Sequence, residues 1–106
     1  MTDFATNLKD TERFIARFKD QPLGHRINGR AVQSQSGATF ENESPIDNSP
    51  LGLVAAGDSA DIDLACTAAE NAFTGWASMN GAKRAKVLHA IADGIEARAH
   101  EIALVE

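Results

Sequence analysis

The run "RINGRAVQSQSGATFENESPID", Arg26 to Asp47, sets the middle of this chain apart from both flanks. On either side apolar residues recur with the helical period of about 3.6, whereas here the pattern falls to about 2, the period of a strand. Asn28-Gly29 can supply the positive φ values of a two-residue type I′ turn, so Arg26-Ile27 and Arg30-Val32 are expected to flank a tight hairpin. A second turn is expected at Ser36-Gly37, then a strand from Thr39 to Glu43. Pro45 to Pro50 reads as a loop rich in Asp, Asn, Ser and Pro, and Leu51 to Ala55 as the next strand. The expected outcome is a meander of three or four short antiparallel strands.

Upstream, "DFATNLKDTERFIARFKDQPLG" places Phe4, Leu8, Ile15 and Phe18 near helical spacing, with Phe14 widening the stripe, and Pro22 and Gly24 end it. A helix this short is marginal alone and has to dock. Downstream, Gly57 closes the strands and Asp58 is placed to cap a helix. Asp61, three residues on, adds negative charge where the helix dipole favours it. Ile62, Ala65, Cys66, Ala69, Phe73 and Trp76 share one face of that helix, which runs about five turns to a break at Asn80-Gly81. Asn80 then caps a last helix with Leu88, Ile91, Ala92, Ile95, Ala99, Ile102 and Val105 on one side and charged residues on the other. The stripe is still running at Val105 with no glycine or asparagine after it, which reads as an element continuing rather than ending. The expectation is that these residues are one piece of a longer fold.

Composition narrows the function classes. The chain has 106 residues, a formal charge of -5 and a hydrophobic fraction of 43%, the usage of a folded globular domain. Nucleic-acid recognition is disfavoured, since it needs clustered Lys and Arg, and only Lys83, Arg84 and Lys86 lie close together, as on a solvated helix face. The single Cys rules out an internal disulfide framework and fits a reducing compartment. No stretch approaches the roughly 18 apolar residues of a membrane helix, and the reading is cytoplasmic.

No catalytic constellation emerges. Cys66 sits on an apolar face with Asp61, Asp63 and Glu70 near it, so it reads as a buried small hydrophobe rather than an activated thiol. His25, His89 and His100 have no partner at metal-ligand spacing and read as surface or boundary histidines. Asp58, Asp61 and Asp63 lack the glycine and distal Glu of a calcium loop. The glycines form no dinucleotide or phosphate-loop fingerprint. "GDSADID" resembles the prosthetic-group serine of acyl carrier proteins at Ser59, but Ala60 follows where a bulky apolar residue is usual, and strands have no place in that fold.

Taken in order, these stretches resemble the amino-terminal part of the aldehyde dehydrogenase superfamily. Ile27-Asn28-Gly29, then Ser36-Gly37-Ala38-Thr39-Phe40, then Ser44-Pro45 follow that family's opening. Leu51 to Glu106 resembles the next strand and two long helices, including Ala72-Phe73-x-x-Trp76. Two departures stand out: Asn80-Gly81-Ala82-Lys83 replaces the usual Ser-Pro-Ala-Glu helix start, and Ser44-Pro45-Ile46-Asp47 replaces the common Asn-Pro loop. The arm from Met1 to Leu23 and the Ser-Pro-Ile-Asp loop are most similar to the 5-carboxymethyl-2-hydroxymuconate semialdehyde dehydrogenase branch.

The resemblance implies an incomplete α/β fold, with residues 1-24 as a helical arm and 25-106 as the first strands and two helices of a cofactor-binding domain. It implies an NAD- or NADP-dependent enzyme in which a cysteine thiolate attacks the aldehyde, hydride passes to the nicotinamide, and a water helped by a glutamate releases the acid. Those groups have no counterpart in these residues, so no catalytic or cofactor-binding residue is assigned here. The rest of the same polypeptide and further copies of the enzyme are the implied partners, with no nucleic acid and no membrane. Some members hold a monovalent cation, and the matching metal positions are Asn42 and Glu43; ordinary strand residues are the competing reading. A complete small interaction module with apolar helix faces is the alternative from another class.

Overall fold

The structure, a computed structural model, describes residues 3–106. Helix α1 (Phe4–Asp20) is followed by strands β1 (His25–Ile27), β2 (Arg30–Val32), β3 (Thr39–Glu43) and β4 (Pro50–Ala55). Helices α2 (Ser59–Ser78), α3 (Gly81–Ala97) and α4 (Ala99–Val105) complete the chain. The elements group into two compact units, Ile15–Asn71 and the described part of Met1–Phe14 with Ala72–Glu106.

In the first unit the hairpin expected at Asn28-Gly29 is present. Asn28 and Gly29 have φ of 52° and 73°, and Ile27 faces Arg30 across the turn. The second turn closes through Gly37 N donating to Ser34 O at 3.0 Å. The strands do not join into one meander: β1 pairs only with β2, and β3 only with β4, both antiparallel. The reason is visible in the segment between β2 and β3. Ser34 is buried and its hydroxyl donates to Ala38 O at 2.8 Å, folding residues 34–38 into a local turn that separates the pairs. Leu23 then fits beside β4, its N–H donating to Leu53 O and its carbonyl accepting from Ala55 N, both at 2.8 Å. Ala55 is the buried apolar residue of this unit.

Helix α1 is capped by Asp3, whose Oδ1 accepts from Thr6 N at 2.8 Å. Its covered face differs from the expected stripe. Asn7, Asp10, Thr11, Phe14, Ile15 and Phe18 are half-buried, while Phe4 and Leu8 are exposed. The stripe is rotated because polar residues make contacts that periodicity in hydrophobicity cannot register. Thr11 Oγ1 donates to Asn7 O at 2.8 Å, and Asp10 Oδ2 lies 3.2 Å from His100 Nε2.

In the second unit Asn80 caps α3 as expected, its Oδ1 accepting from Lys83 N at 2.9 Å. Arg84 is not merely part of a solvated face. Its guanidinium is half-buried and donates to the carbonyls of Ala77 and Met79, satisfying groups that the end of α2 leaves without an internal partner. The last helix is also not continuous. Arg98 leaves helical geometry at φ −112° and ψ 15°, and its side chain closes a bidentate pair with Glu101 at 3.0 and 2.8 Å, so α4 starts afresh at Ala99. Asn80→Ala removes one cap hydrogen bond and is expected to lower stability by about 1 kcal/mol, read as an earlier urea midpoint.

The apolar stripes of the long helices form at the expected spacing but stay largely uncovered. Ile62, Phe73 and Trp76 on α2 are exposed, as are Leu88, Ile91 and Ile95 on α3. Cys66 is exposed with them, not buried, because no other segment of the first unit covers that face of α2.

Candidate functional site

The most constructed polar site centres on Asp61. It is 3% exposed, and both carboxylate oxygens accept backbone hydrogen bonds, Oδ1 from Gln35 N at 2.9 Å and Oδ2 from Asp58 N at 3.0 Å. Asp58 reciprocates through Oδ1, which accepts from Ala60 N at 2.9 Å and Asp61 N at 3.3 Å. This is a reciprocal capping box built from two aspartates. The Gln35 contact adds a tie from the turn after β2 to the start of α2. Hydrogen bonding from Asp58 and then Gln35 holds the Asp61 carboxyl below its ordinary pKa; partial desolvation opposes them and the nearby His25 assists.

His25 reaches the same place from β1. Its Nε2 is buried, has no hydrogen-bond partner and lies 3.9 Å from Asp61 Oδ2, beyond hydrogen-bond length. His25 is a boundary histidine, as expected, half-buried with its Nε2 turned inward. Gly57 makes that possible: a Cβ there would stand 3.1 Å from the imidazole Cε1. Sequence reading missed the pair because Asp61 and Gln35 are 26 positions apart and no local pattern joins them. The Asp58-x-x-Asp61 spacing was the one available signal.

Chemically the Asp61 contacts work as a structural knot. Asp61 has both oxygens engaged by backbone donors, and the Ser34 hydroxyl is turned to Ala38 O. Asn42 and Glu43 lie on β3, both exposed, opposite Gly52 and Pro50 with a register shift between them. Among the described residues no three His, Cys, Asp or Glu side chains gather as a metal-binding group. Asp58 caps α2, and Ser59 opens that helix. His89 is exposed on α3, and His100 packs edge-on against Phe14 with ring centroids 6.4 Å apart.

With the geometry in place, comparison with known proteins gives the lineage. The model of the aldehyde dehydrogenase family matches residues 31–106. The chain belongs to the aldehyde dehydrogenase family. It is 44% identical over 77 residues to 2-hydroxymuconic semialdehyde dehydrogenase of Pseudomonas putida, covering 72% of this chain and 16% of that protein. It is 42% identical over 82 residues to the NADP/NAD-dependent aldehyde dehydrogenase PuuC of Escherichia coli (strain K12), covering 76% and 17% respectively. Among solved structures, HpcC from Thermus thermophilus superposes on 92% of this chain with a TM-score of 0.87 and 36% identity, using 19% of its own length. The NAD+ complex of an aldehyde dehydrogenase from Bacillus cereus superposes on 84% of this chain with a TM-score of 0.78 at 35% identity, using 18% of its own length. The chain thus spans about a sixth of the curated aldehyde dehydrogenases it matches. The aldehyde dehydrogenase-like fold that the resemblance implied, helices with short antiparallel strands, is the one these superpositions share.

Among the described residues no helix is long and apolar enough to cross a membrane.

Proposed function

We propose that this chain is the amino-terminal portion of an NAD- or NADP-dependent aldehyde dehydrogenase, a cytoplasmic homo-oligomer that oxidises a semialdehyde to the corresponding carboxylic acid. The observation that carries this reading is the superposition of 92% of the chain on under a fifth of HpcC. Its supporting features are the uncovered apolar faces of α2 and α3, which suit burial against the rest of such an enzyme. The same faces would serve a free-standing interaction module, but family membership favours the enzyme. The substrate class rests on relatives named 2-hydroxymuconic semialdehyde dehydrogenase and alpha-ketoglutaric semialdehyde dehydrogenase. Residues 25–106 would belong to the cofactor-binding domain, with residues 1–24 as the arm beside it. Asn42 and Glu43 would offer backbone oxygens to a monovalent cation at the β3 bulge.

The dinucleotide does not fit the residues present. After β4 the chain turns into α2, the arrangement in which a helix N-terminus can receive a pyrophosphate. Here the α2 end carries Asp58 and Asp61, whose oxygens already accept the N–H groups of Asp58, Ala60 and Asp61, and whose charge repels phosphate. Cofactor contacts must then come from elsewhere in the parent enzyme, and this portion contributes packing to the domain.

The test is the native gene product. It should be several times longer than 106 residues and should reduce NAD or NADP with a semialdehyde, whereas the purified chain alone should form no NADH. A native product of this length only, or NADH formed by the chain alone, would overturn the reading.

A further inference from the structure

We propose that Asn28 is a site of spontaneous deamidation, selected by the fold over the chain's other Asn-Gly pair at Asn80-Gly81. The chemistry is a ring closure between neighbours. The Gly29 amide nitrogen attacks Asn28 Cγ, its proton passes to solvent base, and the Cγ–Nδ2 bond breaks with ammonia leaving. Water then opens the resulting succinimide at either carbonyl, giving aspartate or, with one extra methylene in the main chain, isoaspartate. No oxidant or reductant is involved.

Three features favour Asn28. The residue and Gly29 are exposed at the tip of the hairpin, outside the ladder that closes at Ile27 and Arg30. The Asn28 amide makes no side-chain hydrogen bond among the described residues. Around Gly29 even an added Cβ would meet nothing within 4 Å, so the approach to Cγ is open.

The rival sites are held. Asn80 Oδ1 accepts from Lys83 N at 2.9 Å and Asn80 O from Arg84 N at 3.1 Å, so ring closure there must first break the start of α3. Asn48 shares the left-handed conformation of Asn28, with φ of 57°. Its following nitrogen, Ser49 N, donates to Asp47 Oδ1 at 3.0 Å and is not free to attack. Isoaspartate at position 28 would lengthen a turn that admits two residues only, and the pairing from His25–Val32 to Ile27–Arg30 would lose its closure.

The experiment incubates the purified chain in mildly alkaline buffer and follows deamidation by tandem mass spectrometry after cleavage at glutamate. Asn28 then lies in the peptide Arg13 to Glu41 and Asn80 in Asn71 to Glu96. Native Asn28 should react roughly fivefold or more faster than Asn80, the factor by which one cap hydrogen bond holds a helix start closed. In concentrated urea the two Asn-Gly pairs should react at similar rates. An isoaspartyl methyltransferase should label the modified chain at position 28. Equal native rates, a faster loss at Asn80, or a rate ratio unchanged by urea would overturn the proposal.

Discussion

Gly52→Ala is expected to be the most damaging single substitution in this chain. Gly52 sits in β4 at φ 125°, a conformation side chains rarely adopt, opposite Asn42 at the β3 irregularity. The position a Cβ would take is already occupied by the last turn of α1: it would overlap Phe18 O and stand 2.8 Å from Phe18 C. Both atoms are backbone, so no side-chain rotation relieves the clash, and either α1 or β4 must move. Backbone strain and overpacking together should lower stability by about 3 kcal/mol or more. For a small domain that is a large part of the total, since such folds are stable by about 5–15 kcal/mol. The loss should appear as an earlier urea midpoint and as faster exchange of the Leu23 and Ala55 amides, whose bonds join the segment after α1 to β4. A variant with the wild-type midpoint would show that α1 does not rest on Gly52.

Asp61→Asn should produce the second largest effect and one with a pH signature. The amide keeps the side chain's shape but offers one acceptor oxygen where the carboxylate offers two, so either Asp58 N or Gln35 N loses its partner. The drop should exceed that of Asn80→Ala, because Asp61 is buried and joins two segments. Its pKa is lowered in the folded state, by hydrogen bonding from Asp58 first and Gln35 second. A depressed folded pKa means stability that is fully present above the unfolded value of about 4 and is lost as pH falls through the folded value. The gap between wild type and Asp61→Asn should therefore be widest near neutrality and close below about pH 4. Asp3 and Asp47 also have lowered pKa values, but they act equally in both proteins and cancel in the difference. Urea midpoints measured across that range give the comparison, and a constant gap would remove Asp61's charge from the explanation.

Where the controlling physics is local, the residues announced the fold. Asn28-Gly29 turns through its backbone preference and Asp58 and Asn80 cap through side chains that act within three positions, and each does in the structure what its chemistry implies. The strands at Thr39 to Glu43 and Leu51 to Ala55 followed from period and turn residues in the same way. Contacts made across long stretches were not legible. The split of the strands into two pairs depends on Ser34 folding onto Ala38, and the enclosure of His25 depends on Gly57 and Asp61 arriving from another element. Cys66 went wrong for a different reason: a helical stripe shows which side of α2 wants cover, not whether the cover lies within these residues.

The contact between Asp10 and His100 has a further consequence for how the chain acquires its shape. The two residues are 90 positions apart, and Phe14 meets the same imidazole. A ribosome extrudes the front of α1 long before it makes His100, whereas the capping of α2 by Arg84 needs a separation of only 5 to 7 residues. During synthesis the α2–α3 corner can therefore set over a short stretch, while Asp10 and Phe14 wait without their partner until about 90 further residues have been made. The exposed interval belongs to the front of the amino-terminal helix, which stays open to chaperones and proteases until His100 is made.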